Sequence, residues 1–382
     1  MLWCVEFKDS FALLFNKLGI PFTLNWNYLE TVTSLGSQIA SRKNNNLNII
    51  RLFLALMVIF SHSFPVALGP GGDTREEPLS TWTHRQESSG GVAVDLFFLI
   101  SGLLVTASWL RSRSMQDYFM KRVLRIYPGF IVAMGFSAAL IWAFCPEFRA
   151  AVVHPVNWLL LLLRDLLLLT TDSIYYRGIF AGNPFPIMAN ASLWTISVEF
   201  FCYSIVLVIG LFGLFKRRFL IFLAALLGYA VYVLGLFHGI SQFDECLICF
   251  LTGVTIWLWQ DKIPFSKLIA CGCLVFLLVT SQFRPWFSVV FPIAGGYCIL
   301  WLAYEPKLIL SSWAEKTDLS YGTYLYAFPV QQMLAMNATL RHPLAIFILA
   351  VPVTLLFAWL SWNLVEKRFL ALKSNTRKGG SP

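Results

Sequence analysis

The chain has 382 residues, of which 58% are hydrophobic, 16% aromatic and only 13% charged, with 34 Phe and 14 Trp. A water-soluble protein of this length cannot hide so much apolar surface, so lipid is the expected solvent. The formal charge of +9 raises nucleic acid as a partner, but the basic residues sit in short clusters between apolar runs. That is the pattern of membrane topology, and it argues against a nucleic-acid partner.

The first 45 residues are mixed in character. The apolar stretch at 11–22 is interrupted by Asn16, Lys17 and Pro21, too short to span and suited to lying along the interface; no cleavable signal peptide is visible. Ten later runs are long enough to cross: 48–69, 91–110, 129–146, 192–214, 218–237, 243–260, 265–281, 286–304, 319–337 and 343–364. An eleventh, 154–171, carries Arg164 and Asp165 at its centre.

The basic residues decide the status of that eleventh run. If it does not cross, 21 of the 29 Lys and Arg fall on the side of the N-terminus, 7 fall opposite and Arg51 lies within a span. If it crosses, the split becomes 12 against 15. Positive residues favour the cytoplasm. The fold class expected is therefore an all-α integral membrane protein of about ten transmembrane helices, both termini cytoplasmic, with a re-entrant or interfacial segment near 154–171. Residues 1–45 form an N-terminal cytoplasmic or interfacial extension, 46–372 the membrane domain and 373–382 a short cytoplasmic tail. The loops at 70–90 and 147–191 then face outward, and their Gly, Pro and polar residues suit contact with a water-soluble acceptor.

Polar groups inside spans are costly and mark candidate sites. Residues 48–65 (NIIRLFLALMVIFSHSFP) place Arg51 and His62 eleven positions apart. On a helix this returns to within roughly 20° of the same face, about 16 Å further along the axis. Pro65 leaves the carbonyl of Ser61 without its usual donor. Imidazole is suited to taking a proton from a hydroxyl that attacks an ester or thioester. In 90–102 (GGVAVDLFFLISG) Asp95 lies at the depth of His62, either orienting the ring or standing as a helix-end carboxylate in water, and the Gly residues and Ser101 permit close helix approach.

In the cytoplasmic loop 117–128 (DYFMKRVLRIYP), Lys121, Arg122 and Arg125 precede a span that Pro128 is suited to start. They act either as topological anchors or as a clamp for phosphates of a cytosolic donor such as coenzyme A. In 192–203 (SLWTISVEFFCY), Glu199 sits two turns into its span, serving a structural hydrogen bond, proton handling or acceptor binding. Residues 319–332 (LSYGTYLYAFPVQQ) put Ser320, Tyr324 and two Gln in a span as a polar stripe. In 360–370 (LSWNLVEKRFL), Glu366-Lys367-Arg368 reads as a solvated helix end. The eight cysteines are scattered; Cys246/Cys249 and Cys271/Cys273 lack companion ligands at zinc spacing and read as small hydrophobes, so no metal is expected.

Arg-x10-His, GVAVDLFFLISG, KRVLRIYP, SLWTISVEFFCY, LSYGTYLYAFPV and LSWNLVEKRF, in this order, resemble the acyltransferase-3 family of integral membrane acyltransferases, which includes bacterial O-antigen and Nod-factor O-acetyltransferases. The resemblance runs from about 45 to 372. It implies transfer of an acyl group, commonly acetyl from acetyl-CoA, to a hydroxyl of a carbohydrate or glycolipid outside the membrane, with no permanently bound cofactor. It also implies a bacterial inner-membrane location. By resemblance, Arg51 and His62 match the family's Arg-x10-His pair, Arg122 and Arg125 its Arg-x-x-Arg, and Glu199 the Glu of its Leu-Trp-x-x-x-x-Glu stretch. Many members carry His where this chain has Ala327, and no hydrolase-like C-terminal domain follows.

The site expected from these readings has His62, Asp95 and Glu199 as catalytic residues and Arg51, Lys121, Arg122 and Arg125 as the donor-binding set. Ser101, Trp194, Ser320 and Tyr324 line the cavity or meet the acceptor. One continuous tunnel would join His62 to the arginine pair. The competing reading is a polytopic transporter or flippase for glycans or lipid-linked sugars, which calls for internal repeats that the sequence does not display.

Overall fold

The computed structural model describes residues 33–41, 45–144, 155–168, 170, 180–186, 189–235, 241–308 and 317–378. The interfacial segment expected at 11–22, and several of the residues used for topology (Lys8, Lys17, Arg42, Lys43, Arg149, Arg177 and Lys316), lie outside them. The main helices are α1 (Leu47–Leu68), α2 (Ser89–Leu110), α3 (Met115–Phe144), α4 (Pro155–Leu168), α5 (Trp194–Leu211), α6 (Arg218–Gly235) and α7 (Gln242–Trp259). They continue with α8 (Lys267–Thr280), α9 (Trp286–Tyr304), α10 (Ser320–Ala335), α11 (Pro343–Ser361) and α12 (Lys367–Lys378). Among the described residues the only extended pairing is a single bridge between Ser34 and Pro264.

All ten expected runs are helical. Seven helical segments are long and apolar enough to cross a membrane: those of α1, α2, α3, α5, α6, α9 and α11. α8 and α10 are shorter, at 14 and 16 residues, and α7 opens on Asp244 and Glu245 within a Ser241 capping box. The chain is an all-α membrane protein.

One boundary differs from expectation. The loop expected at 117–128 is the first part of α3, which runs unbroken through Pro128 to Phe144. Lys121 pairs with Asp117 one turn back at 2.5 Å, supporting helix in that stretch, and the proline is absorbed inside the helix. The 154–171 run is α4, with only 14 helical residues. Trp158 near its start stacks on Trp142, and the Leu167 carbonyl near its end accepts from Tyr127. α4 therefore lies antiparallel beside α3 rather than adding a full span. Its Asp165 is fully buried, paired with Arg164 at 2.9 Å and accepting from Thr170 at 2.6 Å.

α2 is central and α6 peripheral: 72% of the apolar window of α2 is buried, against 11% for α6. Phe219, Leu227, Val231 and Leu234 of α6 are left for lipid. α2 packs most extensively on α7. A Cβ on Gly102 would collide with the Phe250 carbonyl, and one on Gly253 with the Leu99 carbonyl, so these two glycines let the backbones touch. α10 packs between α1 and α11. There Gln331 donates to the Ile59 carbonyl at 2.7 Å and to Ser63 Oγ at 2.8 Å, bracing α1 next to His62. Beyond α11 the helix widens into a π-turn, Trp362–Glu366. The solvated end expected there is corrected: Glu366 is 2% exposed and accepts from Ser361 at 2.9 Å.

Candidate active site

A cavity of about 470 Å³ lies among α1, α2, α3, α5 and α10. Its walls carry five cations, Arg51, Arg111, Lys121, Arg122 and Arg125, against two carboxylates, Glu199 and Asp318. Of the residues expected from sequence, Arg51, Lys121, Arg122, Arg125, Glu199, Ser101, Ser320 and Tyr324 all line it. The three-residue spacing of Arg122 and Arg125 on α3 does bring both to one face.

The cations are held individually. Arg51 donates to Asn48 at 2.5 Å and faces Asp318 at 3.4 Å. Arg125 donates to Asp318 at 2.6 Å and lies 5.6 Å from the Tyr321 ring. Arg122 donates to Ser108 at 2.9 Å and sits 5.7 Å from the Tyr118 ring and 5.4 Å from the Tyr203 ring, at cation–π distance of both. Lys121 is neutralised by Asp117 and also donates to Ser112. The Nε atoms of Arg51 and Arg122 are buried without a hydrogen-bond partner among the described residues. A buried donor left unmade is costly. Glu199 accepts from Tyr203 and, at 3.5 Å, from Ser101.

Away from the basic residues the walls turn apolar, with Val94, Phe97, Phe98 and Ile196. Tyr324 and Thr195 share a hydrogen bond of 2.9 Å there, and Phe97 meets Tyr324 edge-on at 6.1 Å.

His62, Asp95 and Trp194 are not among the lining residues. The His62 ring packs edge-on against Phe328 at 5.3 Å, and Phe328 follows Tyr324 by one turn of α10. The imidazole is thus placed one helical turn beyond the cavity wall, and its Nδ1 is buried without a hydrogen-bond partner among the described residues. The continuous tunnel expected from sequence is therefore corrected to a cavity and a neighbouring ring separated by the Tyr324 turn. The same-face geometry of Arg51 and His62 gave direction along α1 but not the aromatic packing from α2 and α10 that intervenes.

Asp95 does not orient the ring. It faces α7, where the Cys249 thiol donates to it and the charge of Glu245 acts on it. Glu87, in the loop before α2, joins this group. Burial, followed by the charges of Asp95 and Glu245, pushes its carboxyl well above the usual range. Trp194 packs against the apolar core instead.

Sequence reasoning missed Asp318, Arg111, Tyr203 and Tyr321 as cavity residues. Asp318 adjoins the 319–332 motif and Arg111 opens a basic cluster, so both stood beside signals already read. Tyr203 bonds Glu199 one turn back on α5, a spacing that the sequence displays, but its contact with Arg122 and those of Tyr321 with α3 cross between helices and left no local mark.

An all-helical membrane protein with a basic chamber and a nearby unpaired imidazole fits acyl transfer. The sequence matches the family described as an acyltransferase domain over residues 44–363, and the chain belongs to this acyltransferase-3 family. An O-acetyl transferase of Shigella phage Sf6 is 27% identical over 360 residues, covering 87% of this chain and 98% of its own. Nodulation protein 10 of Rhizobium leguminosarum bv. viciae is 28% identical over 376 residues, covering 88% and 96%. No solved structure matches the chain.

Proposed function

We propose that this acyltransferase moves acetyl from cytosolic acetyl-CoA to a hydroxyl of a cell-surface carbohydrate or glycolipid, from the bacterial inner membrane, with both termini in the cytoplasm. The observation that carries this reading is the excess of cations lining the cavity, five against two carboxylates. Phosphates of coenzyme A match such donors in charge and geometry, and the relative named as an O-acetyl transferase supports acetyl as the group moved.

In this reading the donor's phosphates rest among Arg51, Arg122 and Arg125, and the thin pantetheine arm runs toward the apolar end. For the thioester to reach His62, the Phe97–Tyr324 contact that separates the cavity from the ring has to part. The acceptor oxygen attacks the thioester carbonyl while the imidazole takes its proton. The tetrahedral intermediate then expels the thiolate, which receives that proton to leave as the free thiol. Holding both substrates in a water-poor space supplies proximity and limits thioester hydrolysis. Glu199 stays beside the arm's path, its charge shared with Tyr203 and Ser101.

The test is reconstitution in lipid vesicles with labelled acetyl-CoA and candidate bacterial glycans. Label on the glycan is the expected result. Glycan translocation with no label transfer would overturn the enzyme mechanism in favour of a transporter.

A further inference from the structure

Asp318 lies just before α10, with its side chain 8% exposed. Oδ2 accepts from Arg125 Nη2 at 2.6 Å and faces Arg51 Nη2 at 3.4 Å, while Oδ1 accepts from the Ser320 hydroxyl at 2.6 Å and its amide at 3.2 Å. One carboxylate thus joins α1 to α3, and the Ser320 pair fixes the carboxylate itself. Burial alone would raise its pKa. The charges of Arg51 and Arg125 and the Ser320 hydrogen bond more than reverse this, and hold it well below the usual carboxylate range. The group therefore stays ionised across physiological pH.

Two effects of that charge oppose each other. It repels a phosphate entering the same cavity. It also freezes two arginines that would otherwise lose much rotamer freedom on gripping a ligand. The geometry favours the second: Asp318 Oδ2 lies 2.6 Å from Arg125 and 3.4 Å from Arg51, and both arginines line the cavity beside it. The carboxylate contacts one Nη2 of each guanidinium, so each side chain is fixed at one corner only.

We propose that Asp318 is a positioning residue of the donor site, holding Arg51 and Arg125 ready to receive the phosphates of coenzyme A. This rests on the donor reading given above. A purely structural ion pair at the same place would lower thermal stability without changing the affinity of the folded protein for coenzyme A.

The experiment measures coenzyme A affinity by titration and thermal stability on the full chain in vesicles, for wild type, Asp318→Asn and Asp318→Glu. Asp318→Asn is expected to weaken coenzyme A binding by about tenfold, roughly the loss of one charge-assisted contact. Asp318→Glu should recover most of it. Unchanged or tighter binding by Asp318→Asn would overturn the proposal, because relief of repulsion would then outweigh lost positioning. Should Asp318→Asn fail to fold, Asp318→Ser decides: affinity lowered to the extent expected of Asp318→Asn supports the role, and wild-type affinity removes it. Wild-type protein that binds no coenzyme A would refute the donor reading itself, a result visible before any variant is made.

Discussion

The two ends of the bundle treat polar groups in opposite ways. Around the basic cavity five cations crowd together, each tied by its own few contacts, and among the described residues the Nε atoms of Arg51 and Arg122 have no hydrogen-bond partner. Around His62 the neighbours are Phe328, Ser63 and the Gln331 brace, and among the described residues Nδ1 of the ring has no hydrogen-bond partner. A chamber for a polyanion needs surplus charge and space. A proton-transfer group needs a fixed ring and little water. One helix, α1, supplies Arg51 to the first and His62 to the second, so the same span serves both environments.

Three substitutions sharpen this contrast. His62→Ala is expected to have the largest effect, cutting acyl transfer by about a hundredfold or more while coenzyme A affinity stays within experimental error. Labelled transfer and titration on one preparation check it, and activity that survives would take the imidazole out of the chemistry. Arg122→Ala should act at the other end. It should raise the KM for acetyl-CoA by about tenfold and leave the KM for the glycan unchanged. Equal rises for both substrates would reduce this arginine to an anchor of topology.

The smallest effect is expected at Glu87, grouped with Asp95 and Glu245. Its folded-state pKa is raised, whereas in the unfolded chain it ionises near its ordinary value of about 4.3. The folded form holds a proton that the unfolded form releases, so this residue subtracts stability as pH rises from about 4.3 toward the raised value. Glu87→Gln should therefore melt higher relative to wild type at pH 8 than at pH 5. A constant difference between the two melting curves would mean that the carboxyl is not perturbed.

Much of this architecture was legible because membrane helices announce themselves as long apolar runs. The cations were legible too, because each is an exception within or beside such a run. What escaped depended on contacts between distant segments. Pro128 read as a start because proline suits a first turn, yet α3 continues through it. Asp95 lay at the right depth for His62, but depth does not fix azimuth, and the side chain turns to Cys249 on α7. Asp318 was overlooked because its value lies in two arginines from elsewhere in the chain. Glu366 looked solvated from its charged neighbours, Lys367 and Arg368, and only the packing of the preceding turn buries it.

The π-turn at Trp362–Glu366 has an effect beyond its own five residues. A turn of this kind carries one residue more than an ordinary one, so everything after it is rotated by about 100°. α12 reaches α3 with that rotation built in, and Leu370 becomes part of the wall of the basic chamber. The tail's phase is thus dictated upstream. Converting that turn to ordinary α-helix with all its residues kept would swing Leu370 off the chamber, whereas deleting one residue from it would let an ordinary turn carry α12 in its present phase.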